Sequence, residues 1–470
     1  MVRRTDQAFW PPYPAKPRER VLAVARPRGD LLLMGLPNAA IHCSTWGEFC
    51  HFLERHNLEV LIESWNGWRW WSDAASDPKS FIVHGKDRQV RALVWQGRRK
   101  RFWIVNSKVW ANRHADRSLC RDLEQVAKAT GLGQWGTPSR LGDALQRRAW
   151  KRTHGWRWES RPPIPVRRRL IDGGVGGRAE TLHQGSRFSG IWEIDQRDAY
   201  AAAWRLPKPS GPPGMGMGVV EDARAGRTAF GLCRFTITEE LRCLGPFAIR
   251  TPDGLAWPAK PGVYEAEVWS PEVLDALSCG IRCESLGLSS VWHRMAKEES
   301  WSEELSEIRR HAGGWGSVVK VATVAAIGRH GRRPEAYGEA KPGSLKAFGY
   351  GPQSRMYELH QTDPASMTHW YAWAIMQARR KVWHRAVAEE WAGRHVIAVE
   401  TDALILDGAP MGPVVPRGDD QLGEWSIRRA DCEVWTPMLR WAFFDDGTAR
   451  TPGLPDEMRA SWLAAHAPPL

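Results

Sequence analysis

The amino-acid sequence predicts a multidomain protein of mixed α/β and α+β class. A chain of 470 residues is long enough for two or three packed domains. Strand and helix signals alternate from about residue 31 to residue 110, which is typical of an α/β domain. Beyond residue 185, apolar strands precede a long helix and a carboxylate-bearing hairpin, which indicates a second, α+β part.

The composition is that of a soluble globular protein, with 43% hydrophobic and 25% charged residues. No apolar run approaches the ~20 residues that span a bilayer, so we expect no membrane partner. Residues 1–6 read Met-Val-Arg-Arg-Thr-Asp and lead into a Pro-rich stretch instead of an apolar signal core, which predicts a cytoplasmic protein. The net charge of +13 suits binding to a phosphate backbone, although an Arg-rich genome would also produce it.

Cysteine and tryptophan usage favours structural roles. The eight cysteines form no CxxC pair and no zinc-type spacing, which predicts free thiols in a reducing compartment. Cys279 and Cys283 are four residues apart, which predicts one buried face of a helix. Many of the 28 tryptophans lie beside arginine, and core packing is favoured over stacking on nucleic-acid bases.

The N-terminal part is predicted to be an arm followed by one α/β domain. Residues 1–30 are rich in Pro and Arg, which is typical of an extended arm. The predicted elements are strands near 31–34, 60–62 and 102–105 and helices at 45–55 and 117–130. Residues 161–169 read Arg-Pro-Pro-Ile-Pro-Val-Arg-Arg-Arg, which predicts a linker. The glycine-rich residues 173–177 predict either a close approach of the backbone to another group or a flexible hinge. A dinucleotide site is not expected, because the pattern is not GxGxxG after a strand.

The remaining residues supply the elements of the α+β part. The predicted elements are a strand at 190–195, a helix from 199, strands at 230–237 and 263–269, helices at 271–279, 300–311, 317–327 and 366–391, and a hairpin at 396–406.

Two apolar strands deliver carboxylates, and these are the candidate catalytic groups. Asp195 follows Trp-Glu-Ile, and Asp402 lies in the turn of the hairpin. A carboxylate in a buried hairpin is costly without a partner, and Mg²⁺ favours carboxylate oxygens together with substrate phosphates. A shared metal site is one interpretation, and two unrelated turn aspartates are the other.

A helix of small residues between the two aspartates carries candidate phosphate ligands. Lys320 lies near its start, and Arg309 and Arg310 precede it. Cations here would suit a triphosphate bound across a cleft from the metals. The alternative is a solvated basic helix face.

In order and spacing, these segments resemble the three polymerase motifs of family B DNA polymerases. The family's first motif reads Asp-x-x-Ser-Leu-Tyr-Pro, and residues 195–201 read Asp-Gln-Arg-Asp-Ala-Tyr-Ala. In the second, Lys-x-x-x-Asn-Ser-x-Tyr-Gly, Lys320 and Gly328 match, whereas Val, Ala and Ile replace Asn, Ser and Tyr. The third reads Asp-Thr-Asp-Ser, against Glu-Thr-Asp-Ala at residues 400–403.

In finer detail the chain is similar to the protein-primed phage and organellar-plasmid subgroup. Gly176, Gly177 and Arg178 resemble the Gly-Gly hinge between its exonuclease and polymerase parts, although Gly174 replaces the expected Tyr. Residues 343–349 resemble an insertion that encircles DNA in that subgroup, and the Leu-Gly-Glu-Trp of residues 422–425 also fits. The resemblance covers about residues 170–455.

The resemblance implies a degenerate exonuclease-like (RNase H-like) N-terminal domain followed by a palm and fingers polymerase core with a reduced thumb. The implied domains are an arm at 1–30, an inactive exonuclease-like domain at 31–165, hinge and palm at 166–300, fingers at 301–335, insertion and palm at 336–430, and a reduced thumb or tail at 431–470.

The implied function is that of a DNA-directed DNA polymerase in phage or mobile-element replication. Asp195 and Asp402 would bind two Mg²⁺, for which Mn²⁺ can substitute. Lys320, with Arg309 or Arg310, would contact the triphosphate. The implied partners are a DNA template-primer and dNTPs, with a priming protein or a processivity factor, in the cytoplasm of a bacterial host.

The resemblance also assigns roles to residues that flank the motifs. Tyr200 would lie under the sugar and exclude a 2′-hydroxyl, and a core Tyr at a strand–helix junction is the alternative. Glu400 and Thr401 would support the metal-binding Asp402. The residues expected to contact DNA are Gly176, Gly177, Arg178, Gly328 and Arg329.

The N-terminal domain departs from the family pattern. Its strand ends carry Asn106 and Glu63, where a proofreading exonuclease has several carboxylates that hold two metals. Asp73, Asp77 and Asp143 are expected in polar turns or on a helix. We therefore predict an exonuclease fold without exonuclease activity. The Arg-Arg-Lys-Arg run at 98–101 suits either a phosphate contact or a solvated hairpin turn.

Three other functions stay open at this point. The altered second motif and Glu400 favour a catalytically altered relative that acts as a DNA-binding protein. A reverse transcriptase or RNA polymerase palm would be distinguished by rNTP incorporation. A metal-dependent nuclease would degrade labelled DNA without dNTPs.

Overall fold

The chain divides into two compact units, Met1–Trp158 with Glu298–Thr368 and Glu159–Lys297 with His369–Leu470. The structure is a computed structural model. It describes residues 21–25, 30–33, 40–43, 45–56, 58–62, 68, 71–77, 79–84, 90–96, 101–107, 110, 117–132, 138–154, 162–173, 179–241, 245–251, 254–297, 301–331, 367–416, 421–437, 441–450, 461 and 465.

The first unit combines a mixed sheet with helices from two separate stretches of chain. Its elements are β1 Val21–Ala25, β2 Asp30–Leu33, β3 Ala40–His42, α1 Trp46–His56, β4 Leu58–Ile62, α2 Trp71–Ser76, β5 Ser80–His84, β6 Val90–Gln96, β7 Arg101–Asn106, α3 Arg117–Thr130, α4 Pro138–His154, α9 Trp301–His311 and α10 Gly316–Arg329.

The sheet of the first unit has the strand order β3-β2-β1-β4-β7-β6-β5. The β1–β4 and β4–β7 pairs are parallel, and the other pairs are antiparallel. Buried apolar residues of α1 and of these strands form one core, which includes Phe49, Leu53, Val60 and Ile104. Trp68 belongs to the same core and is 3% exposed, which agrees with a packing role for this tryptophan.

Helix α10 packs closely on α4 within the first unit. A Cβ built on Gly142 would lie 2.2 Å from the Cβ of Ala326, so only glycine permits this approach. Buried Asp143 of α4 pairs with Arg147 at 2.9 Å and with Arg329 of α10 at 2.5 Å. Residues 316–329, which carry the second motif, are therefore fixed to the N-terminal part by packing and by an ion pair.

The second unit begins with a helix and is otherwise rich in strands. Its elements are α5 Ile164–Gly173, β8 Ala179–Thr181, β9 Ser186–Gln196, α6 Ala199–Trp204, β10 Lys208–Ser210, β11 Gly214–Met215, α7 Val219–Arg224, β12 Thr228–Ile237, β13 Ile249–Thr251, β14 Gly254–Ala256, β15 Gly262–Trp269, α8 Ser270–Ser278, β16 Arg282–Ser285, β17 Ser290–Trp292, β18 Arg294–Ala296, α11 Thr368–Trp391, β19 Val396–Glu400, β20 Ala403–Leu406, β21 Trp425–Thr436, β22 Ala442–Phe444 and β23 Ala449–Arg450.

A seven-stranded sheet, here called the central sheet, has the order β23-β22-β21-β9-β20-β19-β8. Its pairs are antiparallel. Ile194, Leu404 and Val399 form a buried cluster with Val382 and Trp383 of α11, so the helix covers one face of the sheet. Alternate residues of the same strands point to the opposite face, and these include the carboxylates described below.

A second sheet in this unit is built on β12, which pairs with β15, β16 and β17. Its core contains Phe235, Val268 and Val273. Helix α8 begins after Trp269, whose backbone N–H donates to the Glu272 carboxylate at 3.0 Å. This contact, with proline in the first turn, explains why the helix starts there.

Several predicted elements differ from those observed. Val21–Ala25, inside the predicted arm, forms a strand paired to β4. The predicted linker contains α5, because the prolines at 163 and 165 fall before and in the first turn of the helix, where proline is tolerated. Cys283 lies in β16 and not on a helix with Cys279. Residues 431–450, predicted as thumb or tail, add to the central sheet through β21–β23.

Candidate active site

The register of the central sheet brings the first and third motifs together. Asp195 on β9 lies opposite Ala403 on β20. The backbone N–H of Gln196 donates to the carbonyl of Asp402 at 2.8 Å. Asp195 and Asp402 therefore lie at the same end of two adjacent strands in the middle of the sheet, as a shared site requires.

The turn that carries Asp402 has a strained backbone. Thr401 has φ 58°, and the Asp402 N–H donates to the Glu400 carbonyl at 2.6 Å, which makes a tight γ-type turn. A β-branched residue rarely adopts a positive φ, so the turn is held by its surroundings. Strain of this kind is concentrated at functional sites.

The first motif is clamped by the segment at 422–425. The Arg197 N–H donates to the Glu424 carbonyl at 2.9 Å, and the Gly423 N–H donates to the Arg197 carbonyl at 2.8 Å. Gly423 has φ 83°, and a Cβ there would lie 2.8 Å from Ala202 of α6. The Leu-Gly-Glu-Trp sequence is thus explained by a turn that packs on the first motif. Within α6, Tyr200 is half-buried while the other residues are buried.

Glu193 lies on the same face of β9 as Asp195 and is 1% exposed. Its carboxylate contacts three arginines, with Arg450 at 2.6 Å, Arg428 at 3.6 Å and Arg429 in direct hydrogen-bond contact. A bulge in β21 near Arg429 explains how two consecutive arginines reach one face. This cluster was not predicted from the sequence. The available signal was a glutamate at an inward-facing position of an apolar strand.

Asp195 is also engaged by this cluster. The Arg428 Nη1 atom donates to Asp195 Oδ2 at 3.0 Å, and the two side chains are 25% and 29% exposed. The same guanidinium lies 3.6 Å from Glu193, so Arg428 bridges the two carboxylates.

Glu400 is directly opposite Ala403 and therefore lies in the same cross-strand row as Asp195. Burial raises the pKa of Glu400 to about 7, and Asp402 adds to this rise, whereas Arg450 and Arg428 oppose it. Among the described residues, its buried Oε1 atom has no hydrogen-bond partner.

The type of donor in this region, though not a complete ligand set, suits a hard divalent cation. Asp195, Asp402 and the orphaned oxygen of Glu400 offer carboxylate oxygens in one region, which Mg²⁺ prefers. The described ranges contain no group of three or more His, Cys, Asp or Glu side chains arranged to hold a metal by themselves. Such a site would depend on substrate phosphates to complete the coordination, which is usual for Mg²⁺.

The residues of the second motif belong to the first unit. Lys320, Val324 and Gly328 form an exposed stripe on α10, at helical spacing. Arg310 pairs with Glu307 at 2.8 Å, and half-buried Arg309 lies on the same helix, α9.

The other residues predicted to contact DNA are only partly described by the structure. Arg329 is paired with Asp143 through Nη1, and its side chain is 15% exposed. Gly176, Gly177 and Arg178 lie outside the described residues, as do residues 343–349.

Two predicted acidic residues of the first unit, Asp77 and Asp143, are tied into structural contacts. Asp77 accepts hydrogen bonds from the indole N–H groups of Trp46 at 2.8 Å and Trp95 at 3.1 Å. Asp143 forms ion pairs with Arg147 and Arg329. Asp73 lies on α2 and is exposed. Asn106 ends β7. Glu63 and residues 98–100 are outside the described ranges.

Neither a protein-family model nor a curated protein matches the sequence. Solved structures do match. Phi29 DNA polymerase in a ternary complex with primer-template DNA and incoming nucleotides has a TM-score of 0.65 at 10% identity, covering 95% of this chain and 94% of that chain. The same polymerase with single-stranded DNA gives 0.63 at 10% identity, with 95% and 94% coverage. Its binary complex with primer-template DNA gives 0.61 at 11% identity, with 94% of each chain covered.

These matches show that the chain has the multidomain fold of phi29 DNA polymerase over nearly its whole length. The resemblance to protein-primed family B polymerases that the motifs suggested is confirmed at the level of fold. None of the described helices combines the length and the apolar character that crossing a bilayer requires.

Proposed function

We propose that the chain is a template-directed DNA polymerase that adds dNTPs to a primer 3′-hydroxyl. The observation that carries the proposal is the β9–β20 register, which sets Asp195 beside the turn of Asp402 at the end of two central strands. The match to the phi29 DNA polymerase fold, which covers 95% of the chain, supports it.

Asp195 and Asp402 would hold two Mg²⁺, with Mn²⁺ as a substitute. Such ions activate the attacking hydroxyl and neutralise the leaving pyrophosphate. The protein's own part is to fix the two carboxylates: Gln196 ties the strands together, and the strained Thr401 turn fixes the direction of Asp402. Glu400 would support Asp402 from the neighbouring strand position, and its buried oxygen is available to a bound cation or a proton.

Lys320 would neutralise the triphosphate, with Arg309 or Arg310 assisting. Exposed Lys320 supplies a mobile point charge on a helix, which suits phosphate binding. Tyr200, the half-buried residue of α6, would contact the sugar of the incoming nucleotide.

A DNA template-primer is the proposed macromolecular substrate. The structures of phi29 polymerase that match this chain contain primer-template or single-stranded DNA. A net charge of +13 would release counterions on contact with such a backbone. A priming protein or processivity partner, and a role in phage or mobile-element replication, extend the same proposal.

Primer extension with Mg²⁺ and dNTPs tests the function directly. We expect the wild type to extend a recessed primer and Asp402→Asn to lose this activity. Asp407→Asn is the matched control, because Asp407 is exposed on the same hairpin and accepts the His395 N–H at 2.9 Å, a bond that Asn can keep. Equal activity in Asp402→Asn and Asp407→Asn would refute the assignment.

A second candidate function is a DNA-binding relative without polymerase activity. The contact of Arg428 with Asp195 favours it, because a guanidinium occupies an oxygen that a catalytic metal would use. Tight binding to primer-template DNA without extension in either Mg²⁺ or Mn²⁺ would select this candidate.

A further inference from the structure

Arg428 has a second carboxylate partner besides Asp195. The guanidinium that donates to Asp195 at 3.0 Å also lies 3.6 Å from buried Glu193. Glu193 is held independently by Arg429 and Arg450. If Arg428 left Asp195, it would stay beside a carboxylate, and Glu193 would stay neutralised.

We propose that Arg428 is a built-in competitor for the divalent cation at Asp195 and so sets the metal concentration that the site requires. The inference rests on the proposed function, since it concerns the same metal ligands. Arg428 and a metal ion compete for the same carboxylate oxygens, because a guanidinium donates where a cation would coordinate.

The geometry favours exchange over a permanent lock. Both side chains of the pair are about a quarter exposed, so water screens their attraction and the pair contributes little by itself. Displaced Arg428 keeps Glu193 as an acceptor, which lowers the cost of moving it. The arginine is thus a positioning residue: it keeps Asp195 oriented before metal arrives and yields when metal binds.

Binding of Mn²⁺ to the full chain, without DNA or nucleotide, tests this inference. Free Mn²⁺ is measured by electron paramagnetic resonance in the wild type, Arg428→Gln, Arg429→Gln and Asp402→Asn. We expect Arg428→Gln to bind Mn²⁺ about two- to fivefold more tightly than the wild type, the range for losing a partly exposed competing pair.

Arg429→Gln is the matched charge control. It removes one positive charge from the neighbouring position and leaves Glu193 with two arginines, as Arg428→Gln does. Arg429 contacts Glu193, Asp446, Thr448 and the ring of Phe444, so its loss should change Mn²⁺ affinity by less than about twofold.

The outcomes separate this inference from the proposed function. Saturable binding that Asp402→Asn abolishes, with no gain in Arg428→Gln or an equal gain in Arg429→Gln, would overturn the inference and leave the metal site intact. Binding that is absent from both the wild type and Arg428→Gln would overturn the inference, while primer extension would still test the function separately. Binding that is unchanged in Asp402→Asn would overturn both. Circular dichroism checks folding, and Arg428→Met serves as a second neutral variant if the glutamine variant unfolds.

Discussion

The two units place their acidic side chains in different surroundings. In the first unit, Asp77 accepts two indole N–H groups and Asp143 pairs with two arginines. Each of these carboxylates has a fixed protein partner. In the central sheet, Glu193, Asp195 and Glu400 share one face, where three arginines approach them.

The difference is one of electrostatics. A single carboxylate with neutral or cationic donors is satisfied by the fold and needs no further ligand. Carboxylates on adjacent strands repel one another, and a cation placed between them reduces that repulsion. Burial raises the pKa of Glu400 to about 7, and the charge of Asp402 adds to this rise against the effect of Arg450 and Arg428. Clustering of strand-end carboxylates, more than their number, therefore distinguishes a candidate catalytic sheet from a structural one.

One substitution in each unit gives the sharpest test of this difference. Asp195→Asn should lower primer extension by about a thousandfold or more, because metal-assisted charge stabilisation contributes several kcal/mol. Asp77→Ala should retain extension but lower the free energy of unfolding by about 1–3 kcal/mol, since two indole N–H groups lose their acceptor. Extension assays and urea titrations on both variants decide the matter. If Asp77→Ala lost extension and Asp195→Asn kept it, the catalytic carboxylates would lie in the first unit.

Glu193 should be the most sensitive structural position of the central sheet. Glu193→Gln leaves three arginines around a neutral buried group, so we expect a loss of about 3–5 kcal/mol in the free energy of unfolding. Glu284→Gln is the control, because its carboxylate is 68% exposed beside Arg234. A loss as small as that of the control would show that the arginine cluster is not structural.

The sequence identified the strands and turns of the site but not its charge network. Asp195 and Asp402 were found because each interrupts an apolar run, which is a local signal. Glu193 was not, because its partners Arg428 and Arg450 come from strands more than 200 residues later, brought near by the β9–β21 register and the β22–β23 hairpin. Pairing register is set by tertiary packing, which local patterns do not report.

Errors in the predicted elements have the same origin. The prolines near 163 suggested a linker, yet they suit the first turn of a helix whose Leu170 and Ile171 are buried in the second unit. The four-residue spacing of Cys279 and Cys283 suggested a helix, but α8 ends at Ser278 and Gly280 has φ 76°, which turns the chain into β16.

Tyr200 provides a test of the second unit alone. Tyr200→Ala should lower discrimination between dNTPs and rNTPs by about 10- to 200-fold, if the ring excludes a 2′-hydroxyl. Tyr200→Phe keeps the ring and should keep the discrimination. Single-nucleotide insertion kinetics with each nucleotide type give the ratio. Unchanged discrimination in Tyr200→Ala would assign the ring to packing around α6.

The raised pKa of Glu400 predicts that the free energy of unfolding depends on pH. The folded pKa of about 7 lies above the ordinary value of 4.5, so the folded state holds the proton more tightly than the unfolded state. Stability from this group is therefore lost as pH rises from about 4.5 to 7. In metal-free buffer the wild type should lose on the order of 2 kcal/mol more than Glu400→Gln between pH 5 and 8. Parallel pH profiles of the two proteins would contradict a raised pKa.

The smallest expected effect is an absence of proofreading by the first unit. Two close divalent cations need several carboxylates, and Asp77 and Asp143 are already committed to tryptophan and arginine partners. A 3′-mismatched, end-labelled primer, incubated with Mg²⁺ or Mn²⁺ and without dNTPs, should keep its length. Asp195→Asn removes the polymerase site from consideration, so ladder-like shortening that survives in this variant would reveal a working exonuclease. If the shortening also disappears in Asp77→Asn, the activity belongs to the first unit. Its acidic residues would then be catalytic and not only structural.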